Sequence, residues 1–282
     1  VKAGRALIPW VVPLLLLALW QLAGDAGWFT GRIIPTPAAV ARAGVRLADS
    51  GDLSRHLGVS ARRAGTGFLI GGLIGFALGL LTGASRGAER LLDGSLQMLR
   101  TVPHLALVPL VILWFGIEEG GKVFLVALGV LFPIYLNTYH GVRSVDPGLI
   151  EMGRVYGLGR WELFRRVLVP GALPSILVGV RYALGVMWLT LIVAETIAAN
   201  SGIGYMALNA REFLLTDVVV LSVLLYALLG KLADLAARGL EWWLLPWHPA
   251  HARPTAAAAV PDDPLDRPAR SHAVGRDEGG TA

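Results

Sequence analysis

The sequence predicts an all-α polytopic membrane bundle of about six transmembrane helices, and three observations lead to that fold class. Of the 282 residues, 55% are apolar and only 16% charged, with a mean hydropathy of +0.60, whereas about a quarter of a soluble domain is charged. Apolar runs approaching the ~20 residues that cross a bilayer recur along the chain. Glycine, which is more frequent in membrane helices than in soluble ones, occurs 35 times. Cysteine is absent, which excludes a disulfide framework, a thiolate metal site and a cysteine nucleophile. The formal charge of +5 is carried by arginines spread between apolar runs. That is the pattern of charge that orients a membrane protein, not of a nucleic-acid surface.

Six spans follow in order, near residues 8–23, 67–84, 96–115, 123–140, 176–198 and 218–237. The first follows Lys2 and Arg5, is long for a signal-peptide core and has no clear A-x-A site after it, so it reads as a retained helix. Pro103 and Pro109 interrupt the third, which is therefore expected to be broken or partly re-entrant, tolerable only where protein or a water path covers the freed backbone. The transmembrane domain occupies residues 1–250. The Ala-, Pro-, Asp- and Arg-rich stretch 251–282 has no helical period and reads as a disordered tail.

With the N-terminus inside, cytoplasmic segments hold 15 Lys and Arg and outer segments 8, six of them in a first loop of about forty residues where Arg62 and Arg63 are expected at the interface. Both termini are thus expected in the cytoplasm.

The second span carries Gly67, Gly71, Gly75, Gly79 and Gly83, every fourth residue. Positions four apart share one helix face, so they form a groove into which another helix can approach to backbone contact. Two enzyme-like strings fail. Gly83 to Gly87 fits G-x-S-x-G but lacks the strand before it and the His and Asp partners. Gly116 to Lys122 fits most of a P-loop, yet Val123 follows where a hydroxyl must hold magnesium. The chain is therefore expected to have no catalytic, cofactor or metal residues, and any ATP dependence must come from a partner.

Residues 146–174 hold the informative motif. Asp146 suits an N-cap and Pro147 the first helical position, so a short helix is expected to about Tyr156, broken by Gly157 or Gly159. A second short helix is expected over 161–168, stopping before Pro170. Apolar residues interleave with Arg154, Arg160, Arg165 and Arg166, so an amphipathic element on anionic lipid is one reading.

The spacing Glu151-Met152-Gly153, three residues, Gly157, nine residues, then Val167-Leu168-Val169-Pro170 resembles the EAA loop of ABC importer permeases. Met152 and Gly153 stand where that signature has alanines, and Val167 and Val169 where it has Ile and Leu. The resemblance covers roughly residues 7–250 and is nearest to the sulfonate, taurine and nitrate group, particularly aliphatic sulfonate permeases. It is carried also by Ile34-Pro35-Thr36-Pro37, Arg100-Thr101-Val102-Pro103, Leu113-Trp114-Phe115-Gly116-Ile117 and the run from Pro170 to Phe213. It implies a MetI-like ABC permease fold in the bacterial inner membrane, a homodimer, two cytoplasmic ATPase subunits holding ATP and magnesium, and an external solute-binding protein. It implies ATPase coupling through Glu151, Met152, Gly153, Gly157, Val167 and Pro170, at a coupling loop of about 146–170. A permease for taurine, nitrate or a pyrimidine precursor is the alternative. A secondary carrier or channel is the rival class, but no clear inverted repeat is visible.

Polar residues inside spans are pathway candidates by default: Asn137, Arg181 and Glu195 foremost, with His140, Lys231 and Asp234. Arg181 lies close enough to the span end to snorkel. Glu195 would repel an anion, so a structural or docking role suits it better.

Overall fold

The computed structural model describes residues 2–30 and 33–247; the expected tail 251–282 lies outside them. All regular structure among the described residues is helical. In chain order the helices are α1 (Lys2–Asp25), α2 (Pro37–Asp49), α3 (Asp52–Ala84), α4 (Arg86–Thr101), α5 (Val108–Phe115), α6 (Glu119–Arg143), α7 (Pro147–Val155), α8 (Arg160–Leu163), α9 (Val169–Ala198), α10 (Ile203–Glu212) and α11 (Thr216–Leu244). Four of the segments, Asp52–Ala84, Glu119–Arg143, Arg160–Ile197 and Thr216–Leu244, are long and apolar enough to cross a membrane. The pair Arg86–Thr101 and His104–Phe115, bent by 75°, makes a fifth, and the apolar stretch Val11–Asp25 of α1 is shorter.

The bundle is built around α6. All five ridge glycines of α3 are buried against it. A Cβ on Gly67 would come within 2.5 Å of Val126, one on Gly79 within 2.6 Å of Thr138, and one on Gly83 within 2.8 Å of Val142. At Gly71 and Gly75 the obstacle is the α6 backbone itself, the carbonyls of Ala127 and Leu131. Residue numbers rise together along both helices, so α3 and α6 run parallel. On its other side α6 meets α9 head to tail: Gly129 faces Thr190, Gly179 faces Asn137, and Gly141 faces Ala172 and Ser175. Val126, Val130, Ile134, Ala183, Met187 and Leu191 fill the seam.

Parallel neighbours need a return crossing between them, and the bent pair supplies it. Glu89 at the start of α4 meets Tyr139 and Arg143 at one end of α6, whereas Phe115 of α5 stacks on Phe124 near the other, with ring centroids 5.4 Å apart. The break falls at Val102 and Pro103, both extended, because Pro103 has no N–H to donate and pushes the residue before it out of the α region.

The expected first loop is mostly helix. Thr36 caps α2 by accepting the Ala39 N–H at 3.2 Å, and α3 begins at Asp52, fifteen residues (67 − 52) before the predicted start of its span. Its polar first half was invisible to hydropathy because Ser60 and Arg63 are buried against other helices. Arg63 is therefore enclosed by protein rather than exposed on a loop. The element predicted over 161–168 does not stop before Pro170 either. α8 passes through a π turn at Phe164–Leu168 directly into α9. The wider turn lets the Val169 N–H reach the Phe164 carbonyl, and Pro170 sits in the first turn of α9, where its missing N–H costs little.

Replacing Gly75 by Leu, which drives a side chain into the α6 backbone, is expected to abolish the folded, monodisperse permease in detergent extracts. Leu73→Ala, at an exposed position, is expected to leave it intact. Fluorescence-detected gel filtration distinguishes the two, and equal yields would mean that the ridge is not a packing face.

Candidate functional site

At the Arg143 end of the bundle, α7 leaves α6 through Val145 and Asp146. Asp146 accepts the Gly148 N–H through its carboxylate at 2.8 Å and Pro147 opens the helix. The C-terminus closes as a Schellman motif: the Leu158 N–H reaches the Gly153 carbonyl at 3.0 Å and the Gly157 N–H reaches that of Arg154 at 2.9 Å. Gly157 has φ +79, with open space around it. Glycine is required there for conformation, not for room. Gly153 is buried, and a Cβ on it would meet Leu163 at 2.7 Å, so the Gly in place of the family's alanine lets α7 lie closely on α8. Val167 lies on the same contact, 3.7 Å from that Cβ position, and Val145 packs against Gly171 at the start of α9. The element is thus one capped piece continuous with a long span. Glu151 and Met152 are exposed on it, and around them Val155 (86%), Tyr156 (79%) and Trp161 (70%) stand in the open.

A polar clamp closes the opposite end. Arg63, 1% exposed, spends all five of its N–H donors. Two go to Glu119, at 2.7 and 2.5 Å, one to Glu195 at 2.8 Å, and two to the carbonyl and hydroxyl of Ser201, at 2.6 and 3.1 Å. Glu195, fully buried, also accepts from the Ser60 hydroxyl at 2.8 Å, the Gly204 N–H at 2.9 Å and the Tyr226 hydroxyl at 2.9 Å. Gly202, at φ +111, turns the chain so close that a Cβ would collide with the Glu195 carboxylate. The clamp therefore ties α3, α6, α9, α10 and α11. It leaves Glu195 no free surface for a solute in this conformation.

Most of the other polar candidates are also engaged, while among the described residues the His140 side chain meets only the Tyr139 ring edge-on, with centroids 5.2 Å apart. Asn137 donates to the Pro133 carbonyl at 2.8 Å, and its own carbonyl accepts from Ser175. Arg181, 42% exposed at its side chain, pairs with Asp234 at 2.7 Å, beside Lys231 at 3.6 Å and Arg238 at 3.0 Å. The sequence reading put Lys231 with Asp234 but missed that Arg181 and Arg238 bind the carboxylate more closely, since their proximity depends on how α9 and α11 pack. Gly116 and Lys122, in the P-loop-like string, form a span-to-span turn in which the Lys122 ammonium donates to the Ile117 carbonyl at 2.7 Å.

The model of the family described as binding-protein-dependent transport system inner membrane components matches residues 71–244. The chain belongs to that family. It is 63% identical over 243 residues to the putative aliphatic sulfonates transport permease protein of Escherichia coli K12, covering 86% of this chain and 92% of that one. It is 44% identical over 250 residues to the protein of the same description in Bacillus subtilis 168, covering 87% and 91%. Among solved structures, an inward-facing conformation of the MetNI methionine ABC transporter matches with TM-score 0.53 at 20% identity, over 67% of this chain and 95% of that one, a likeness of fold. The MetI-like all-α permease fold expected from the sequence is thereby established.

Removing one partner of a buried pair leaves the other charge uncompensated, so Glu195→Ala is expected to destabilise the permease by about 3–5 kcal/mol. Glu119→Ala should cost less, because Glu119 is 50% exposed and water replaces it. Thermal unfolding in detergent ranks the two, and a Glu119 effect as large as that of Glu195 would contradict the assignment.

Proposed function

We propose that this chain is the permease subunit of a binding-protein-dependent ABC importer of aliphatic sulfonates, working as a homodimer in the bacterial inner membrane. Two ATPase subunits lie on the cytoplasmic side and a solute-binding protein docks outside. The observation that carries the solute class is the nearly end-to-end similarity to a relative described as an aliphatic sulfonates permease. The observation that supports the mechanism is the capped α7 element with its exposed Val155, Tyr156 and Trp161. Such an apolar, aromatic patch rimmed by arginines is suited to a protein cleft.

The chemistry assigned to this chain is conformational. ATP and magnesium belong to the partner, whose closure displaces α7. The Schellman turn keeps α7 short and rigid, and Leu163 on Gly153 passes the displacement to α8, the π turn and α9. Glu151, Met152, Gly153, Gly157, Val167 and Pro170 are the coupling residues in this reading. Because α9 continues to the clamp around Glu195, movement at the cytoplasmic end is carried to the outer end as two-state rocking of a packed bundle. The Arg143 end is cytoplasmic on this reading, with α11 returning to it and both termini inside. Residues 1–250 form the transmembrane domain and 251–282 the tail.

Gly157→Leu forces an L side chain into the left-handed region, at a cost of about 1–3 kcal/mol, without a steric clash. The permease is expected to reach the membrane but to lose its ATPase on co-purification, and with it alkanesulfonate uptake. Glu151→Ala should weaken the association less, its charge being exposed and screened. An element that only lies on lipid would retain the ATPase in both variants. Coupling without alkanesulfonate uptake would leave the importer and shift the solute to taurine, nitrate or a pyrimidine precursor. A cytoplasm-active reporter fused after Arg143 should be active, and one after Gly51 silent; the reverse would invert the orientation.

A further inference from the structure

The break between α4 and α5 lies partway along the length of the bundle. Its first residue after Pro103 is His104, whose Nε2 is 3.0 Å from the Thr190 hydroxyl. Both lie over Gly129, where a Cβ would come 2.8 Å from the Thr190 oxygen and 3.3 Å from Nε2. The pair therefore exists only because α6 carries a glycine there. Gly129 is near the middle of Glu119–Arg143, and Thr190 is well inside α9. The extended residues Val102 and Pro103 are thus at mid-depth, and Thr101, Val102 and Pro103 are exposed.

Lipid cannot cover non-helical backbone at that depth; protein or a water-lined path must. The side chain bears this out. Thr190 is fully buried and its hydroxyl has no partner but His104 among the described residues. The contact fits either tautomer of the ring, and in the one proposed below the Thr190 hydroxyl donates to Nε2. That leaves the proton of the neutral ring on Nδ1. Nδ1 has no partner among the described residues, yet it is not among the sealed, unpaired polar atoms of the interior. Glu195 follows Thr190 by five residues on α9, but its carboxylate is enclosed in the clamp with Glu119 beside it, while Glu89 pairs with Arg143 and Asp234 with Arg181.

We propose that His104 is a solute-contacting residue of the translocation pathway, donating its Nδ1–H to an oxygen of a passing oxyanion, and that Thr190 is the positioning residue that holds the ring in that tautomer. The inference deepens the importer reading and rests on it. A neutral donor at mid-depth suits conduction, where a solute must be held well enough to enter and weakly enough to leave.

The test uses the full permease with its ATPase and binding protein in proteoliposomes. It measures radiolabelled ethanesulfonate imported per ATP hydrolysed. His104→Ala is expected to lower that ratio by about tenfold, the order of one lost hydrogen bond, while the ATPase stays bound and its stimulated hydrolysis stays within about twofold. His104→Gln, which keeps an N–H donor, should recover part of the ratio, and Thr190→Val should lower it by a few-fold. A merely structural tie predicts that uptake and hydrolysis fall together and the ratio stays constant, and that result overturns the proposal. If His104→Ala does not reach the membrane, a wild-type ratio in both His104→Gln and Thr190→Val overturns it equally. If the wild type imports taurine or nitrate but no sulfonate, the sulfonate reading fails, and the same ratio measured with that anion decides on His104. A wild type that imports no anion sinks both.

Discussion

The close approach of α3 to α6 is the constraint on which the rest of the bundle depends. Inside a membrane, apolar side chains gain little by leaving lipid for protein, so helices associate through tight packing and specific hydrogen bonds. The five glycines of α3 remove every side chain between the two backbones over about five turns. Once these helices lie parallel in contact, the intervening chain must recross the bundle, which places the bent α4–α5 pair along its side. The other face of α6 is then left for α9, through Gly129, Gly141 and Gly179.

α9 joins the two ends of the molecule on which the proposed mechanism acts. At one end it grows without interruption out of α8 and the π turn, and so out of the α7 element. At the other it contributes Glu195, which Arg63, Ser60, Tyr226 and the Gly204 N–H enclose. A buried ion pair is weak evidence for stability, because desolvation offsets much of its attraction. Its value here is in specification: five donors and one fully coordinated carboxylate can be satisfied by only one arrangement of α3, α6, α9, α10 and α11. Packing of that kind favours discrete arrangements over continuous deformation, as the proposed rocking of the bundle requires.

Between these ends lies the least regular part of the spanning region. Pro103 breaks a helix at a depth where broken helices are tolerated only beside protein or water. His104 stands at that break with one nitrogen held by Thr190. In the proposed mechanism the regular packing at the two ends suits coupling and closure, which need rigidity, and the irregular middle suits a pathway, which needs polar groups that are not already satisfied.

Local chemistry determined much of this from the sequence alone. The N-cap of α7, a glycine break after it at Gly157 or Gly159, the glycine groove on α3 and a proline interruption at Pro103 or Pro109 follow from steric rules that act within a few residues, and each was legible without a partner in view; the structure uses Gly157 and Pro103. The apolar spans were legible for the same reason, because hydropathy is a property of the segment itself. What hydropathy could not register were polar residues whose cost is cancelled by something distant in sequence. The first half of α3 reads as loop until Glu119, Glu195 and Ser201 are brought around Arg63. Glu195, a pathway candidate in the sequence that better suits a structural or docking role, has its lone pairs taken by groups that only packing brings together. His104 drew no notice because its meaning lies in Thr190, 86 positions away, and in the absence of a side chain at Gly129. Which face of the glycine ridge would be covered, whether Pro170 would end a helix or begin one, and which charges would meet are decided by long-range packing, since burial and ion pairing depend on which helices come together and no single segment carries that information.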